Sequence, residues 1–210
     1  MRYNYIAIEG TIGAGKTSLV EKIASDFEAR AVYEQFEENS FLPKFYKDPD
    51  KYAFPLEMSF MASRFQQLKT ELSKGDMFRS FVVADYFLDK SLIFARKTLQ
   101  EDEFSLFSRF FHFINTGLAK PELIIYLYKD VDLLRQNIRK RGRVYEQDIT
   151  AGYLEKIQSG YLSYFRQNDH LRVVIADTND FDFVERSQDY QYLKEIIAAD
   201  YPKGITTIPQ

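Results

Sequence analysis

A glycine-rich segment near the start of the chain has the residue types and spacing of a phosphate-binding loop. It reads Gly-Thr-Ile-Gly-Ala-Gly-Lys-Thr and directly follows a short apolar run, Tyr5 to Glu9. Glycines let the backbone curl so that successive N–H groups point at a di- or triphosphate, and the helix that follows turns its positive end toward the same anion. The segment predicts phosphate binding by Gly10, Thr11, Ile12, Gly13, Ala14, Gly15, Lys16, Thr17 and Ser18. Lys16 would reach the β- and γ-phosphates, and the Thr17 hydroxyl would ligate Mg²⁺.

A second candidate is the carboxylate Glu34, which ends the next apolar run, Ala31 to Glu34. In a parallel sheet this strand end faces the phosphate loop. Glu34 could therefore accept the proton of a hydroxyl that attacks the γ-phosphorus. The alternative is a solvated acidic loop, and we assign the neighbouring Glu37 and Glu38 to the surface.

The order of these features resembles the deoxyribonucleoside kinase family, which includes the deoxycytidine, deoxyguanosine and deoxyadenosine kinases. The resemblance rests on the loop, on Glu34, on Phe-Tyr-Lys-Asp-Pro from Phe45, on Lys-Pro-Glu-Leu-Ile-Ile-Tyr-Leu from Lys120, and on the Arg-rich segment from Arg139 to Gln147. It covers roughly residues 3 to 165 and implies a P-loop kinase fold. It also implies transfer of a phosphoryl group from ATP to the 5′-hydroxyl of a deoxynucleoside, with Glu34 as the base.

The resemblance also implies how the deoxyribose and the transferring phosphoryl group are held. Tyr46 and Glu146 would bind the 3′-hydroxyl, a reasonable pairing because a hydroxyl both donates and accepts. Arg141 and Arg143 would belong to a lid, about residues 139–148, that closes over ATP and neutralises the transferring charge. Arg139 could bind ATP, or it could belong to a basic helix end that interacts with the dipole of its own helix.

The base pocket should lie along a helical pattern from Pro55 to Lys74 that ends at Gly75. The family usually presents a glutamine to the base, whereas this chain has Glu57, with Arg64 two turns later. An ionised Glu57 accepts from the N1–H and N2–H of guanine, and Arg64 donates to O6 and N7. We therefore expect purine deoxynucleosides to be preferred, with deoxyguanosine ahead of deoxyadenosine, and with the smaller cytosine as an alternative because it keeps its N4 donor. Phe60 and Phe94 are candidates for ring stacking, with core packing as the alternative.

The chain departs from the family after its third predicted strand. Most members have an acidic residue, an arginine and a serine there, whereas this sequence has Asp85-Tyr-Phe. Asp85 could still hold Mg²⁺ through water, and it is also a candidate for nucleoside binding. The missing arginine leaves the orientation of the 5′-hydroxyl and γ-phosphate open, and Lys90 is a nearby cation that could compensate.

Short apolar strands that alternate with helical patterns position these residues. The predicted strands are Tyr5–Glu9, Ala31–Glu34, Phe81–Asp85, Leu123–Tyr128 and Arg172–Ala176. The other predicted helices are Lys16–Phe27, Ser105–Gly117, Asp132–Arg141, Ile149–Phe165 and Asp189–Tyr201. This alternation predicts an α/β fold in one domain, residues 1–210, with a five-stranded parallel doubly wound sheet and the ligand at the carboxyl ends of the strands.

Composition narrows the classes of partner. The formal charge is −3, with 28 basic and 31 acidic residues, so no global field draws the protein to nucleic acid or to an anionic membrane. No apolar run approaches the ~20 residues of a membrane span. There are no cysteines, and the first strand begins at once, leaving no room for a targeting peptide. We expect a cytoplasmic protein with small-molecule substrates. The resemblance implies a homodimer, for which the helix Ser105–Gly117 could serve.

Two other functions are alternatives to phosphorylation of a deoxynucleoside. A nucleoside monophosphate kinase of the thymidylate kinase type must neutralise an acceptor phosphate, yet acids and no arginine follow the second strand. A GTPase-like switch or other nucleotide-binding regulator that reads guanine would need Asn-Lys-x-Asp, which is absent from the sequence.

Overall fold

The fold is built around a parallel sheet. A computed structural model describes residues 1–35, 39–73 and 81–208. In these ranges six strands form one sheet in the order β2-β3-β1-β4-β5-β6. The strands are β1 (Tyr5–Gly10), β2 (Arg30–Val32), β3 (Val82–Ala84), β4 (Leu123–Tyr128), β5 (Arg172–Asp177) and β6 (Gly204–Ile208).

Eight α-helices lie in the described ranges and cover the sheet. They are α1 (Lys16–Asp26), α2 (Leu42–Lys47), α3 (Pro49–Ser73), α4 (Lys90–Thr98), α5 (Glu101–Asn115), α6 (Val131–Arg141), α7 (Ala151–Gln167) and α8 (Ser187–Ala198). A 3₁₀ turn, Val144–Glu146, joins α6 to the segment before α7. Strands covered on both faces are apolar along their whole length, and all six residues of β1 are buried.

The strand order places a ligand crevice beside β1. In the sheet β1 pairs with β3 on one side and with β4 on the other, with Ala7 opposite both Ala84 and Ile124. The chain reaches β2 and β3 on the first side before it crosses to β4 on the second. In open parallel sheets, ligands bind at the carboxyl ends of the strands where the order reverses in this way. The segments after β1, β2 and β3 carry the loop, Glu34 and Asp85, so the topology brings these three together.

The structure confirms the parallel α/β architecture but corrects the predicted count of five strands. The unpredicted strand, β6, lies at the sheet edge beside β5, and exposed residues alternate along it with half-buried ones. Strand β6 lacks the apolar run that predicts a buried strand. Helices α2 and α4 were also not predicted, and α3 begins at Pro49 with Pro55 inside it. The predicted end at Lys74 and Gly75, and the surface assignment of Glu37 and Glu38, lie outside the described residues.

Several of the aromatic rings in the described residues pack in the interior. Tyr126, Tyr161 and Phe165 are fully buried and contact one another, with ring centroids 5.1–5.9 Å apart. Among the residues described, no helix combines the length and apolar character needed to cross a bilayer.

Candidate active site

The phosphate loop joins β1 to α1, and its glycines are required by close packing. Gly13 has a φ of +90°, and a Cβ there would lie 2.7 Å from the carbonyl oxygen of Leu134. Gly15 has a φ of +92°, and a Cβ there would lie 2.8 Å from the ring of Phe183. A side chain at either position would be strained and would also clash. The loop is therefore held from outside by α6 and by the segment after β5, which leaves its inner face to the phosphates.

The Lys16 side chain turns back across this loop. Its Nζ donates to the carbonyl oxygens of Gly10, at 2.8 Å, and of Thr11, at 3.2 Å. Burial, together with the positive charge of nearby Lys90, lowers the pKa of Lys16 to about 8. An ammonium group that is partly desolvated in this way gains the most from an anionic partner.

Thr17 and Asp85, the two residues predicted to ligate Mg²⁺, are in contact. The Thr17 hydroxyl donates to Oδ2 of Asp85 at 2.8 Å, and the backbone N–H of Glu34 donates to Oδ1 at 2.7 Å. Asp85 thus ties the loop helix to the segment after β2. Both side chains offer hard oxygen donors at one point, which is the chemistry that Mg²⁺ requires of its ligands.

Glu9, in β1, stabilises the segment that follows Asp85. Its carboxylate is fully buried and accepts from the backbone N–H of Phe87, at 3.1 Å, and from the Tyr161 hydroxyl, at 2.8 Å. Burial raises the pKa of Glu9. These bonds link β1, the segment that follows Asp85, and α7, so they fix the path of the chain between Asp85 and Lys90.

The Glu34 carboxylate lies between two cations. Its Oε1 accepts from Arg64 Nε at 2.8 Å and from Nη2 at 2.5 Å, and its Oε2 accepts from Lys90 Nζ at 2.5 Å. Burial alone would raise the pKa of Glu34, but Lys90 and Arg64 outweigh it and lower the pKa to about 2. Glu34 is therefore an anion throughout the neutral range, held in one orientation.

The residues expected to bind the deoxyribose lie in one cavity. Tyr46 comes from α2 and Glu146 from the 3₁₀ turn, and both line the cavity beside Arg141 and Arg143. Glu146 accepts from Arg141 at 2.5 Å and from Arg143 at 3.4 Å. Burial and the charge of Glu146 raise the pKa of Tyr46, which keeps its hydroxyl protonated as a donor.

One face of α3 carries the expected base-reading residues. Glu57, Phe60 and Arg64 are spaced three and four residues apart, so they share a face, and all three are buried and line the same cavity as Tyr46. Glu57 accepts from the Thr98 hydroxyl at 2.9 Å. Its burial raises the pKa to about 7 despite the charge of Arg64. Phe94 also lines this cavity.

Arg64 is shared between the base pocket and Glu34, which the sequence did not indicate. Besides its two bonds to Glu34, its Nη1 donates to Ser91 at 2.8 Å, and its guanidinium lies 4.7 Å above the Phe60 ring. Two of its five N–H groups remain without a hydrogen bond to the described residues. Lys90, the proposed substitute for the missing arginine, is 5% exposed and contacts Glu34 directly.

Some predicted loop and lid residues lie apart from the site. Thr11 is buried, its hydroxyl lies 3.1 Å from that of Tyr126, and it does not line the cavity around the loop, whereas the buried Ala14 does. Arg139 is exposed on α6 and does not line the cavity around the loop, whereas Asn137, Lys140 and Arg141 of the same helix do.

The sequence did not single out the segment after β5. Its residues line a cavity of about 970 Å³ that begins at the phosphate loop. The position of this segment could have identified it, since the carboxyl end of any strand in such a sheet borders the crevice. The residues of this segment that line the cavity are Asn179, Phe181, Asp182, Phe183, Val184 and Glu185.

Two cavities meet at the residues with the chemistry of phosphoryl transfer. One runs from the loop along α6 and the segment after β5, and the other runs along α2, α3 and α4. We call them the donor cavity and the acceptor cavity. The residues that line both are Gly13, Lys16, Thr17, Glu34, Asp85, Arg141 and Arg143.

One family model matches almost the whole chain. The family model described as deoxynucleoside kinase matches residues 6–200. The chain belongs to the deoxynucleoside kinase family. This deoxynucleoside kinase is 35% identical to the deoxyguanosine kinase of Bacillus subtilis (strain 168) over 205 residues, 92% of this chain and 97% of the relative. It is 28% identical to the deoxyguanosine kinase of Lactobacillus acidophilus over 97% of this chain and 93% of the relative.

A solved structure supports the fold of this deoxynucleoside kinase. Deoxyadenosine kinase from M. mycoides with bound dATP superposes with a TM-score of 0.80 at 22% identity, over 92% of this chain and 99% of that chain. The predicted P-loop kinase fold is confirmed. The enzyme class predicted from the loop, Glu34 and the Arg-rich segment is confirmed as well.

Proposed function

We propose that this kinase transfers the γ-phosphoryl group of ATP to the 5′-hydroxyl of a purine deoxynucleoside, with deoxyguanosine preferred. The observation that carries the proposal is the meeting of the donor and acceptor cavities at Lys16, Glu34 and Asp85. Two substrates that enter from opposite sides would place a γ-phosphate and a hydroxyl together at that point. Such positioning is the main contribution an enzyme makes to phosphoryl transfer.

In the donor cavity, the loop amides and Lys16 bind the phosphates. The nucleotide base of ATP lies toward Asn137 and the segment after β5. Thr17 and Asp85 fit Mg²⁺, and the bound ion would supply charge neutralisation on the β- and γ-phosphates.

Glu34 receives the proton of the acceptor hydroxyl. As the 5′-oxygen bonds to the γ-phosphorus, the bond from that phosphorus to the β-γ bridging oxygen breaks, ADP leaves, and the hydroxyl proton passes to Glu34. Because the pKa of Glu34 is held at about 2, the proton transfers late, once bond formation has made the hydroxyl acidic. In a loose transition state the hydroxyl does not have to lose its proton early, so a weak base is sufficient. Lys90 contacts Oε2 of the Glu34 carboxylate. Arg141 and Arg143 approach the transferring phosphoryl group from a lid at about residues 139–148.

The acceptor cavity favours guanine. Glu57 in its ionised form accepts from N1–H and N2–H, and the two remaining N–H groups of Arg64 suit O6 and N7. The 35% identical relative is named a deoxyguanosine kinase. Thymine would place its 5-methyl group against Arg64 and leave that donor unpaired, at a cost on the order of 1–3 kcal/mol. We further propose a single domain over residues 1–210, a cytoplasmic location and a homodimer.

The test incubates the protein with ATP, Mg²⁺ and each of the four natural deoxynucleosides. Chromatography against authentic 3′- and 5′-monophosphates identifies the products. The expected result is 5′-monophosphate with kcat/KM highest for deoxyguanosine. Thymidine as the best substrate would refute the base assignment. Phosphorylation of deoxynucleoside monophosphates in place of nucleosides would favour the thymidylate kinase type, and release of free phosphate alone would favour a regulator.

A further inference from the structure

Thr98, the last residue of α4, stands directly behind Glu57. Its Oγ1 lies 2.9 Å from Oε1 of Glu57 and 3.0 Å from the carbonyl oxygen of Phe94. Glu57 lines the acceptor cavity, whereas Thr98 does not. A hydroxyl has one proton, while a carboxylate and a carbonyl both only accept. Thr98 therefore cannot donate to both neighbours at the same time.

The geometry accommodates two hydrogen-bond arrangements. When Glu57 is ionised, Thr98 donates to Oε1 and stabilises the charge. When Oε1 is protonated, Glu57 donates to the Thr98 oxygen and Thr98 donates to the Phe94 carbonyl. The Thr98 hydroxyl is a direct donor to Glu57 in the first arrangement only. Removal of this hydroxyl thus penalises the ionised form more than the protonated one.

The surroundings of Glu57 make its ionised and protonated forms similar in free energy near pH 7. The side chain is 2% exposed, and burial is the cause that raises its pKa to about 7. The charge of Arg64 opposes this rise, but Glu34 accepts two bonds from the same guanidinium. The titratable and charged groups that act on Glu57 are Arg64 of α3, Glu34 after β2, Lys90 of α4, Tyr46 of α2 and Tyr153 of α7.

We propose that Thr98 is a positioning residue for base specificity. Its hydroxyl holds Glu57 in the ionised form that reads the N1–H and N2–H donors of guanine, and so sets the ratio of deoxyguanosine to deoxyadenosine turnover. Adenine presents an acceptor at N1 beside the N6–H donor, so it is read by the protonated form of Glu57, which can donate to N1. This inference rests on the proposed purine preference.

The proposal predicts a base preference that changes with pH. As pH falls through the pKa of Glu57, guanine loses its partner and adenine gains one, so the deoxyguanosine to deoxyadenosine ratio of kcat/KM falls. In Thr98→Val, loss of a bond to a charged group raises the pKa by about one unit. The ratio at pH 7 then falls about tenfold, because the ionised fraction drops from about one half to about one tenth while the protonated fraction rises from about one half to about nine tenths.

The test measures kcat/KM for both purine deoxynucleosides from about pH 5.5 to about pH 9. Thr98→Ser retains the donor and should keep the pH dependence of the wild-type ratio. Thr98→Val should move it to higher pH. Glu57→Gln cannot ionise, so its ratio should favour deoxyadenosine and not respond to pH, which provides a second test if Thr98→Val does not fold.

The outcomes separate the two levels of the proposal. Equal losses for both nucleosides at every pH in Thr98→Val would mean a merely structural role and would overturn the inference. A ratio that still varies with pH in Glu57→Gln would overturn it too. If wild type prefers deoxyguanosine but its ratio is flat with pH, the inference fails while the proposed function stands. If wild type prefers thymidine, both fail.

Discussion

Lys90 Nζ lies 2.5 Å from Oε2 of Glu34, although the two residues are 56 positions apart in the chain. Both side chains are almost fully buried, at 6% and 12% exposure. Lys90 is the first residue of α4, so it approaches Glu34 from the side of the acceptor cavity, while Arg64 occupies the other oxygen. A cation on each carboxylate oxygen leaves a lone pair on Oε2 for an acceptor hydroxyl.

Replacement of Lys90 tests whether this cation serves in place of the arginine that the family has after the third strand. Lys90→Met should lower kcat and also reduce the free energy of unfolding by about 1–3 kcal/mol, because Glu34 loses a charge-assisted hydrogen bond while Arg64 remains. Lys90→Arg should retain more of both. Steady-state kinetics and urea unfolding at pH 7 measure the two effects. Wild-type turnover in Lys90→Met would assign orientation of the hydroxyl to other groups.

Glu34→Gln should retain ATP binding and lose about two to four orders of magnitude in turnover, the usual contribution of a positioned base. Glutamine keeps the size of the side chain but cannot take up the proton. Glu101→Gln is a matched control, because Glu101 is a surface carboxylate paired with Arg96. Rapid-quench turnover and equilibrium ATP binding are the measurements. Activity within tenfold of wild type would exclude Glu34 as the base.

Local features were predictable from sequence, and partnerships between distant segments were not. The loop follows from eight consecutive residues, and the spacing of Glu57, Phe60 and Arg64 along a helix follows from its periodicity. The pairing of Arg64 with Glu34 spans 30 positions and that of Thr98 with Glu57 spans 41. Such pairings depend on how α3 and α4 pack over the sheet, and helical periodicity carries no information about that packing.

The edge of the sheet shows the same limit. Strand β6 pairs in parallel with β5, and exposed and half-buried residues alternate along its Ile-Thr-Thr-Ile sequence. An apolar run identifies strands that are buried on both faces. It misses an edge strand whose pairing is decided by a neighbour elsewhere in the chain.

Lys16→Ala should abolish transfer without loss of stability in the absence of nucleotide. Lys16 donates only to two carbonyl oxygens of its own loop in the part of the chain described, and its removal takes away a buried charge whose desolvation is unfavourable. Lys22→Ala is the control, because Lys22 is a lysine of the same helix that bonds the Val184 carbonyl at the surface. Thermal melts and turnover are compared. A variant that melts well below both wild type and Lys22→Ala would make Lys16 a structural residue.

Arg141→Ala and Arg143→Ala should lower kcat more than they raise KM for the nucleoside. Their contacts in the lid are expected to form with charge that develops during transfer. Arg139→Ala provides the comparison, since Arg139 is exposed beside them but does not line the donor cavity. If the loss appears only in nucleoside affinity, the two arginines belong to the acceptor site. An equal loss in Arg139→Ala would support the ATP-binding role that its position in the Arg-rich segment implies.

Glu57→Gln should change the base preference of the acceptor cavity from guanine to adenine. The glutamine amide donates through one atom and accepts through the other, so it matches N1 and N6–H of adenine and opposes the paired donors of guanine. A guanine N1–H left facing a buried amide donor costs about 1–3 kcal/mol, which corresponds to a loss of about fivefold to 150-fold in kcat/KM for deoxyguanosine. Deoxyadenosine should gain or stay level. Competition between the two nucleosides in one reaction measures the ratio directly, without an error from enzyme concentration. A ratio unchanged by Glu57→Gln would mean that the base does not contact this side chain, and that the selectivity of the cavity comes from Arg64 or from its shape.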